Sequence, residues 1–473
     1  MTEFEYSPYL YDFSHSLVFL RENTKSGKCA GFQPTIRYFL NDSTVVNLFG
    51  AEISPQLLDL LEIALACYLA DRVSPRDPKR HSNSNWIRVM KLRIGVRSVE
   101  FWHNVEIQDN LKGLLNFLTD DDWQIDFVPL LGKDRLFESQ LQLALKPISP
   151  PRVALFSGGL DSFSGAANMM AIDRDSDFVL VSGATNYRQI SKQRKQIECL
   201  KRLERPGGIA HALVEFGIKW EGSDDAKQEK SQRTRGLLFV MLGCIASVNA
   251  GSNILEIYEN GIGAINLPFD SSQISAMNSK SVHPTTLVYI EQLISSVIGC
   301  EFEIRNDFLF STKGEMCKSL RDEVLGGIRD TFSCDGFPVR VSGKPQCGVC
   351  TSCLLRRVSL EAAGLNRYED GDGYGMDLAN IDSNPSLNQL NALRAMEWHF
   401  EILRNCLESG NTWEKLTANF PEIATLVAHL ANRRQIEPTL LQRNICRLFQ
   451  SFFNEWMEYS ARRHLVRLKR RAA

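Results

Sequence analysis

At residues 153–156 an apolar run, Val-Ala-Leu-Phe, leads without a break into Ser157-Gly158-Gly159-Leu160-Asp161-Ser162. Four apolar residues closed by a glycine pair have the length of a fully buried strand, and the small residues after them read as the opening of a helix. A chain that turns from buried strand to helix in so few residues is confined to folds in which the two alternate around a parallel sheet. The turn also has a chemistry. Gly158 and Gly159 admit backbone geometries closed to residues with a Cβ, so successive N–H groups can converge on an anion at the helix start. Ser157 and Ser162 add hydroxyl donors. No lysine follows the glycines and their spacing is not G-x-G-x-x-G, so neither of the two commonest phosphate-binding motifs applies.

The same alternation continues downstream. Arg152–Phe156, Phe178–Ser182, His211–Phe216 and Asn253–Ile257 are short apolar runs, separated by segments long enough for crossover helices. The expectation for residues 149–368 is a doubly wound parallel sheet, with ligands at the carboxyl ends of its strands. Ser157, Gly183-Ala184-Thr185 and Glu259-Asn260-Gly261 all fall at such ends. Residues 1–148 read as an α+β unit, a candidate docking domain. In it Ser54-Pro55 opens a helix with Leu57, Leu60, Leu61, Ala64, Leu65 and Tyr68 at helical spacing, and Met90, Leu92, Ile94 and Val96 alternate with Lys91, Arg93 and Gly95 as in a half-buried strand. The basic run Arg72–Arg80, broken by two prolines, reads as a solvated loop. Residues 369–386 are Gly/Asp-rich and read as a linker; Ile381 stands where a calcium loop needs its glutamate. Residues 387–473 read as a helical extension, with Leu393, Met396, Phe400, Leu403 and Leu407 forming an apolar stripe before the basic tail Arg462–Arg471.

Cys334 and Cys347-Gly-Val-Cys350-Thr-Ser-Cys353 make the second motif. Two-residue gaps let neighbouring thiolates chelate one ion, and four of them close a tetrahedral zinc site, although the same spacing also suits an iron–sulfur cluster. Twelve cysteines without an apolar signal segment point to a reducing cytoplasm. Cys29, Cys67, Cys199, Cys244, Cys300, Cys317, Cys406 and Cys446 are then core residues or bystanders. A net charge of −2 does not advertise nucleic-acid binding, and no apolar stretch is long enough to span a membrane.

The loop resembles the PP-loop of the ATP pyrophosphatase superfamily, whose adenine nucleotide α-hydrolase-like core binds ATP and splits its α–β bond. Loop and cysteine cluster together resemble QueC, the 7-cyano-7-deazaguanine synthase family. The likeness extends to Thr234-Arg235 at a helix start, although Gly236 stands where the family usually has asparagine, and to Ser311-Thr312-Lys313-Gly-Glu315. The segment Glu259-Asn260-Gly261-Ile-Gly263 through Pro268, with Ser281-Val-His283-Pro284 after it, departs from the family's Asp/Tyr/Cys-rich segment. It is more similar to the QueC-like proteins of bacterial anti-phage operons, QatC among them.

The resemblance implies that Phe156 to Ser162 cradle the ATP phosphates with Mg2+, that Gly183, Ala184 and Thr185 hold adenine, and that Cys334, Cys347, Cys350 and Cys353 bind Zn2+. Ser157, Asp161, Ser162, Arg235 and Lys313 are the candidate catalytic groups. Glu259, Asn260 and Gly261 are candidates for reading a guanine-like edge, and His283 for carrying a proton near neutral pH, a role that competes with structural hydrogen bonding. The expected activity is adenylation of the carboxylate of 7-carboxy-7-deazaguanine with release of pyrophosphate, followed by attack of an amine, expected to come from a protein encoded in the same operon. An ammonia-dependent nitrile synthase, a tRNA-thiolating PP-loop enzyme, and a binding protein without turnover are the alternatives. Homo-oligomerisation is left open.

Overall fold

The computed structural model describes residues 9–14, 19–21, 33–41, 53–76, 87–131, 149–220, 229, 231, 233–267, 280–335, 344–369, 373–376, 387–408 and 410–472. Residues 77–80 of the basic run, most of the linker, Pro268 and Cys29 lie outside these, as do the side chains of the tail from residue 463.

Ten strands form one sheet: β1 (Tyr9–Phe13), β2 (Phe19–Arg21), β3 (Gln33–Asn41), β4 (Val89–Val96), β5 (Asp122–Pro129), β6 (Arg152–Leu155), β7 (Phe178–Ala184), β8 (Ile209–Trp220), β9 (Ile254–Glu256) and β10 (Glu303–Arg305). Their order is β10-β9-β6-β7-β8-β3-β2-β1-β4-β5. Neighbours from β10 to β8 are all parallel. This is the open sheet expected for residues 149–368, and its strand order reverses beside β6: the chain leaves β6 for β7 and β8 on one side, then returns to β9 and β10 on the other. Ligand sites in such sheets sit at that reversal, outside the carboxyl ends of the strands.

The N-terminal strands extend this sheet. β3 pairs antiparallel with β8, then β2 with β3 and β1 with β2, after which β1, β4 and β5 run parallel. Sheet and core therefore continue across residue 148: Tyr11, Leu60, Leu92 and Leu114 share one hydrophobic cluster with Val153, Val181 and Leu242. The pairing of β3 with β8 rests on backbone hydrogen bonds, which leave no mark on hydrophobic periodicity.

The principal helices are α1 (Pro55–Val73), α2 (Val105–Thr119), α3 (Leu160–Ile172), α4 (Tyr187–Leu200), α5 (Arg235–Asn249), α6 (Pro284–Ile298), α7 (Lys313–Lys318), α8 (Thr351–Ala362), α9 (Leu387–Leu407), α10 (Thr412–Asn419), α11 (Glu422–Arg434) and α12 (Pro438–Ala472). They cover both faces of the parallel block. Along β6 and β7, Val153, Leu155, Val179 and Val181 point to the cluster containing α1, α5 and α6, whereas Ala154, Phe156, Phe178 and Leu180 point to the one containing α3 and α4. A strand buried on both faces reads as a continuous apolar run, as these do. The N-cap at Ser54 is as expected, its hydroxyl accepting from Leu57 N–H at 3.3 Å.

α1 exceeds its predicted apolar face. It is buried all round, carboxylates included, and those are satisfied: Asp59 accepts from the N–H groups of Arg97 and Ser98 and from Trp102 Nε1, and Asp71 pairs with Arg88 and takes Thr234 Oγ1. The C-terminal helices form a second core with Leu393, Met396, Phe400 and Leu403 inside, where Phe400 and Trp456 stack at 4.5 Å. Among the described residues, no helix is long and apolar enough to cross a membrane.

Candidate active site

Phe156 ends the buried strand, its N–H donating to Val181 O at 2.7 Å and its carbonyl accepting the Ser182 hydroxyl at 2.7 Å. Gly158 follows at φ +85°, a left-handed conformation that glycine takes without strain. The loop's carbonyls are turned back into the protein. Gln193 Nε2 donates to Ser157 O at 3.0 Å, and Gln196 Nε2 and Phe332 N–H donate to Gly158 O at 2.9 and 3.2 Å. That leaves the amide side facing the carboxyl ends of the strands. There the Ser157 and Ser162 hydroxyls lie 3.1 Å apart, Gly159 N–H donates to Ser157 Oγ and Gly158 N–H to Ser162 Oγ. The first amides of α3, at Leu160, Asp161 and Ser162, lack intrahelical acceptors by position, and the cap residue Gly159 offers no side chain. The result is an anion cradle at the positive end of a thirteen-residue helix.

Three segments far apart in sequence meet beside it. Asp161, in the first turn of α3, has Lys313 Nζ at 2.7 Å from one carboxylate oxygen and Asn260 Nδ2 at 3.0 Å from the other. Asn260 Nδ2 also reaches Glu259 Oε1 at 2.9 Å, while its Oδ1 caps a short helix by accepting from Gly263 N–H. Glu259 and Asn260 follow the end of β9 after two intervening residues, so the cluster occupies the point where the strand order reverses. Burial, and then the Asp161 charge, push the Glu259 carboxyl well above the usual range. Burial pulls Lys313 down, but the Asp161 and Glu259 carboxylates outweigh it and hold its ammonium above the ordinary value.

The remaining expected residues separate. Gly183, Ala184 and Thr185 end β7, and the last two line a cleft of about 230 Å³ with Phe39, Asn186, Tyr187, Ile190, Arg194 and Glu215. Thr185 N–H donates to Gln189 Oε1 at 3.1 Å. Gly261 begins the short helix that Asn260 caps. Arg235 is exposed at the start of α5, in the electrostatic neighbourhood of Tyr68 and Arg72. His283 takes up the structural hydrogen bonding that competes with the proton-carrying role expected from its sequence. It is the N-cap of α6, Nδ1 accepting from Thr285 N–H at 3.2 Å, with its ring against Phe117. Burial first, and then the Lys280 charge, lower it to about 3, so it stays neutral where a shuttle must titrate.

The four cysteine sulfurs lie within 4.8 Å of one another, with Cys347 to Cys353 at 3.8 Å and Cys350 to Cys334 at 4.0 Å. Zinc–sulfur bonds of about 2.3 Å in a tetrahedron place sulfurs roughly 3.8 Å apart. The set fits one tetrahedral ion and is too tight to enclose an iron–sulfur cube. Val349 and Cys350 N–H groups point at Cys347 Sγ at 3.5 and 3.3 Å, and Gly348 takes φ +87° to allow it. Of the other cysteines, Cys67, Cys199, Cys244, Cys317 and Cys406 are buried.

The centre is tied to the loop through residues that sequence reasoning missed. Between them runs the segment 328–334, whose Phe332 braces Gly158. Arg356, fully inside, donates to Thr331 Oγ1 at 2.6 Å and to Ile328 O at 2.9 Å and pairs with Glu369. Gln193 and Gln196, one helical turn apart, carried no signal beyond being amides on an otherwise basic helix.

What fold and site define is a strand–turn–helix with the donors to hold an anion, at the reversal point of a parallel α/β sheet and braced by a tetracysteine cluster. The relatives are more particular. The chain is 25% identical to the 7-cyano-7-deazaguanine synthase of Cupriavidus taiwanensis over 231 residues, 46% of this chain and 96% of that protein. It is 26% identical to the enzyme of that name from Novosphingobium aromaticivorans over 252 residues, 48% and 96% of the two chains, and 24% identical to that from Methylococcus capsulatus over 227 residues, 46% and 96%. No known family profile matches. The chain is thus QueC-like over about half its length, as the motifs implied, and carries as much again beyond the matched part.

Proposed function

We propose that the chain is a QueC-like ATP-dependent ligase that adenylates the carboxylate of a 7-deazaguanine, releasing pyrophosphate, for attack by an amine of a partner protein in an anti-phage system. The observation that carries the reading is the convergence of Ser157–Ser162, Glu259-Asn260 and Lys313 at one end of the sheet. When bound, ATP with Mg2+ supplies the electrophilic phosphorus and a leaving group, and AMP on the carboxylate then makes the carbonyl carbon attackable. Asp161, whose two carboxylate oxygens meet Lys313 Nζ and Asn260 Nδ2, would hold the magnesium once Lys313 turns to the phosphates.

The chain's own contribution is orientation and charge. The α3 amides and the two serine hydroxyls bind the departing pyrophosphate, donors that count most where negative charge develops. Lys313 neutralises Asp161 and stands ready to share that role. Glu259 turns towards the ion-paired cluster, its carboxyl raised by burial first and by the Asp161 charge second, and with Asn260 and Gly261 it stays the candidate for reading a guanine-like edge. Ala184 and Thr185 in the cleft suit adenine. Zn2+ on the four cysteines would be structural, since four protein sulfurs would fill all four positions of the tetrahedron. Cys317, its sulfur 3.7 Å from Ser164 Oγ in α3, is pushed up to about 12 by burial, which speaks against it as the sulfur donor of a thiolation. The relatives' names favour one second reading, a nitrile synthase using ammonia.

The test is to incubate the chain with ATP, 7-carboxy-7-deazaguanine and proteins encoded beside it. AMP with pyrophosphate as products, and a deazaguanine-sized adduct on one partner's N-terminal amine, are expected. ADP as the main product removes the assignment; ammonia-dependent nitrile with unmodified partners moves it to the second reading.

A further inference from the structure

The long C-terminal helix reaches the reacting cluster. α12 lays Arg447 and Glu455, eight residues apart and so on one side of the helix, against residues 310–315. Arg447 Nη1 meets Glu315 Oε1 at 2.9 Å and its other terminal nitrogen donates to Phe310 O. Glu455 Oε1 accepts the Thr312 hydroxyl, and its carboxylate lies so close over the first turn of α7 that a Cβ on residue 314 would run into it. The sequence has glycine there. Thr312 and Glu315 also form a reciprocal capping box, Glu315 N–H donating to Thr312 Oγ1 at 3.0 Å and Thr312 N–H to Glu315 Oε2 at 2.9 Å. One hydroxyl therefore serves both the box and Glu455. The very next residue is Lys313, whose ammonium sits 2.7 Å from Asp161.

Glu455 is poorly accommodated for a residue with only a packing role. Its Oε2 is buried with no hydrogen-bond partner among the described residues. Burial, with Glu315 and Glu458 adding their charges, pushes it up to about 7. An incompletely satisfied buried carboxyl costs stability, and an apolar residue beside Phe452, Phe453 and Trp456 would avoid that cost. What the carboxyl adds is a fixed acceptor for Thr312.

We propose that Glu455 is a positioning residue: through Thr312 it fixes the first turn of α7 and thereby aims Lys313 at Asp161. The C-terminal extension is then a working part of the site. The proposal rests on the reading of that site as an adenylating centre for its kinetic arm only.

The experiment uses the full chain as Glu455→Ala, Glu455→Gln and Arg447→Ala. The direct readout is the rate of reductive methylation of Lys313, followed by peptide mass spectrometry against the other lysines. Losing an ordinary hydrogen bond should speed Lys313 labelling roughly five- to tenfold in Glu455→Ala. Glu455→Gln should label like the parent, because an amide oxygen accepts the Thr312 hydroxyl equally well. In ATP turnover, Glu455→Ala should lower kcat by a comparable factor with KM for ATP held, and Glu455→Gln should restore it. Unchanged Lys313 labelling in folded Glu455→Ala overturns the proposal whatever the turnover. Should that variant fail to fold, Arg447→Ala, which removes the bonds to Glu315 and Phe310 O that hold the Glu455 side of the helix against residues 310–315, carries the same expectation, and unchanged labelling there overturns it. Faster labelling in a protein whose parent never turns over ATP would support the positioning role and remove the proposed reaction instead.

Discussion

Gly158→Ala tests whether the loop's geometry is held by conformation or merely tolerated. At φ +85° an alanine pays the left-handed cost of about 1–2 kcal/mol. Its Cβ would also stand 2.9 Å from Phe332 Cε1 and 3.0 Å from Gln193 Cγ, both inside contact distance, and forcing a methyl into packed surroundings typically costs about 1–3 kcal/mol more. The expected total, about 2–5 kcal/mol, falls on local opening of residues 156–164 because the contacts involved are the loop's own. The assay is hydrogen exchange by mass spectrometry on peptides covering that stretch, where such a loss lowers protection from about thirtyfold to several thousandfold. Adding Phe332→Leu separates the causes in part: the shorter side chain relieves the Phe332 contact and leaves the φ strain and the Gln193 contact, so the double variant should recover part of the loss and retain at least about 1–2 kcal/mol of it. Parental protection in Gly158→Ala alone would refute the reasoning, since neither the conformation nor the contact would then be as described.

Replacing Cys350 by serine leaves three thiolates and a weak fourth ligand. Elemental analysis should find zinc near one equivalent in the parent and well below it in the variant, with the 328–334 segment and then the loop losing exchange protection. A metal-free variant with parental protection at both would detach the cysteine centre from the loop. At His283 the pH dependence has a definite sign. The folded value, lowered to about 3 from 6.5, means that the unfolded chain binds the extra proton between those values, so the contribution to stability is present above pH 6.5 and is lost as pH falls towards 3. His283→Asn keeps an N-cap acceptor and removes the titration. It should flatten that part of the acid stability profile by one proton while leaving the pH profile of ATP turnover unmoved, whereas a shifted turnover profile would return His283 to the chemistry.

The residues legible in advance were those whose constraint is local. Gly158 is demanded by a turn, Ser54 by a helix start, and the four cysteines by a tetrahedron, and each constraint acts over a few residues of chain. The two-faced burial of β6 and β7 was legible for a related reason, because a strand covered on both sides must be apolar throughout. What escaped depends on partners that the chain brings in from far away. Glu259 and Asn260 were noticed as polar groups after a strand, but that they turn to Asp161 and Lys313 is decided by β9 lying next to β6. His283 carries the ring of a catalyst and does the work of a cap, and only the proline after it hinted at a helix start. Gln193, Gln196 and Phe332 act through backbone carbonyls, which accept from any amide within reach.

The same distinction explains the two ends of the chain. β3 joins the parallel block by backbone pairing with β8, and Phe39 from that strand becomes a wall of the cleft holding Ala184 and Thr185. α12 joins it by laying Arg447 and Glu455 on the segment that carries Lys313. Neither contact has a periodicity, so the two flanks read from sequence as appendages. Spatially, each supplies a side chain next to a loop of the parallel block, one beside the expected adenine position and one beside the expected phosphate position. Flanks built in that way set their own side chains beside the candidate site, and this is a physical reason to measure whether its acceptor differs from that of relatives half its length.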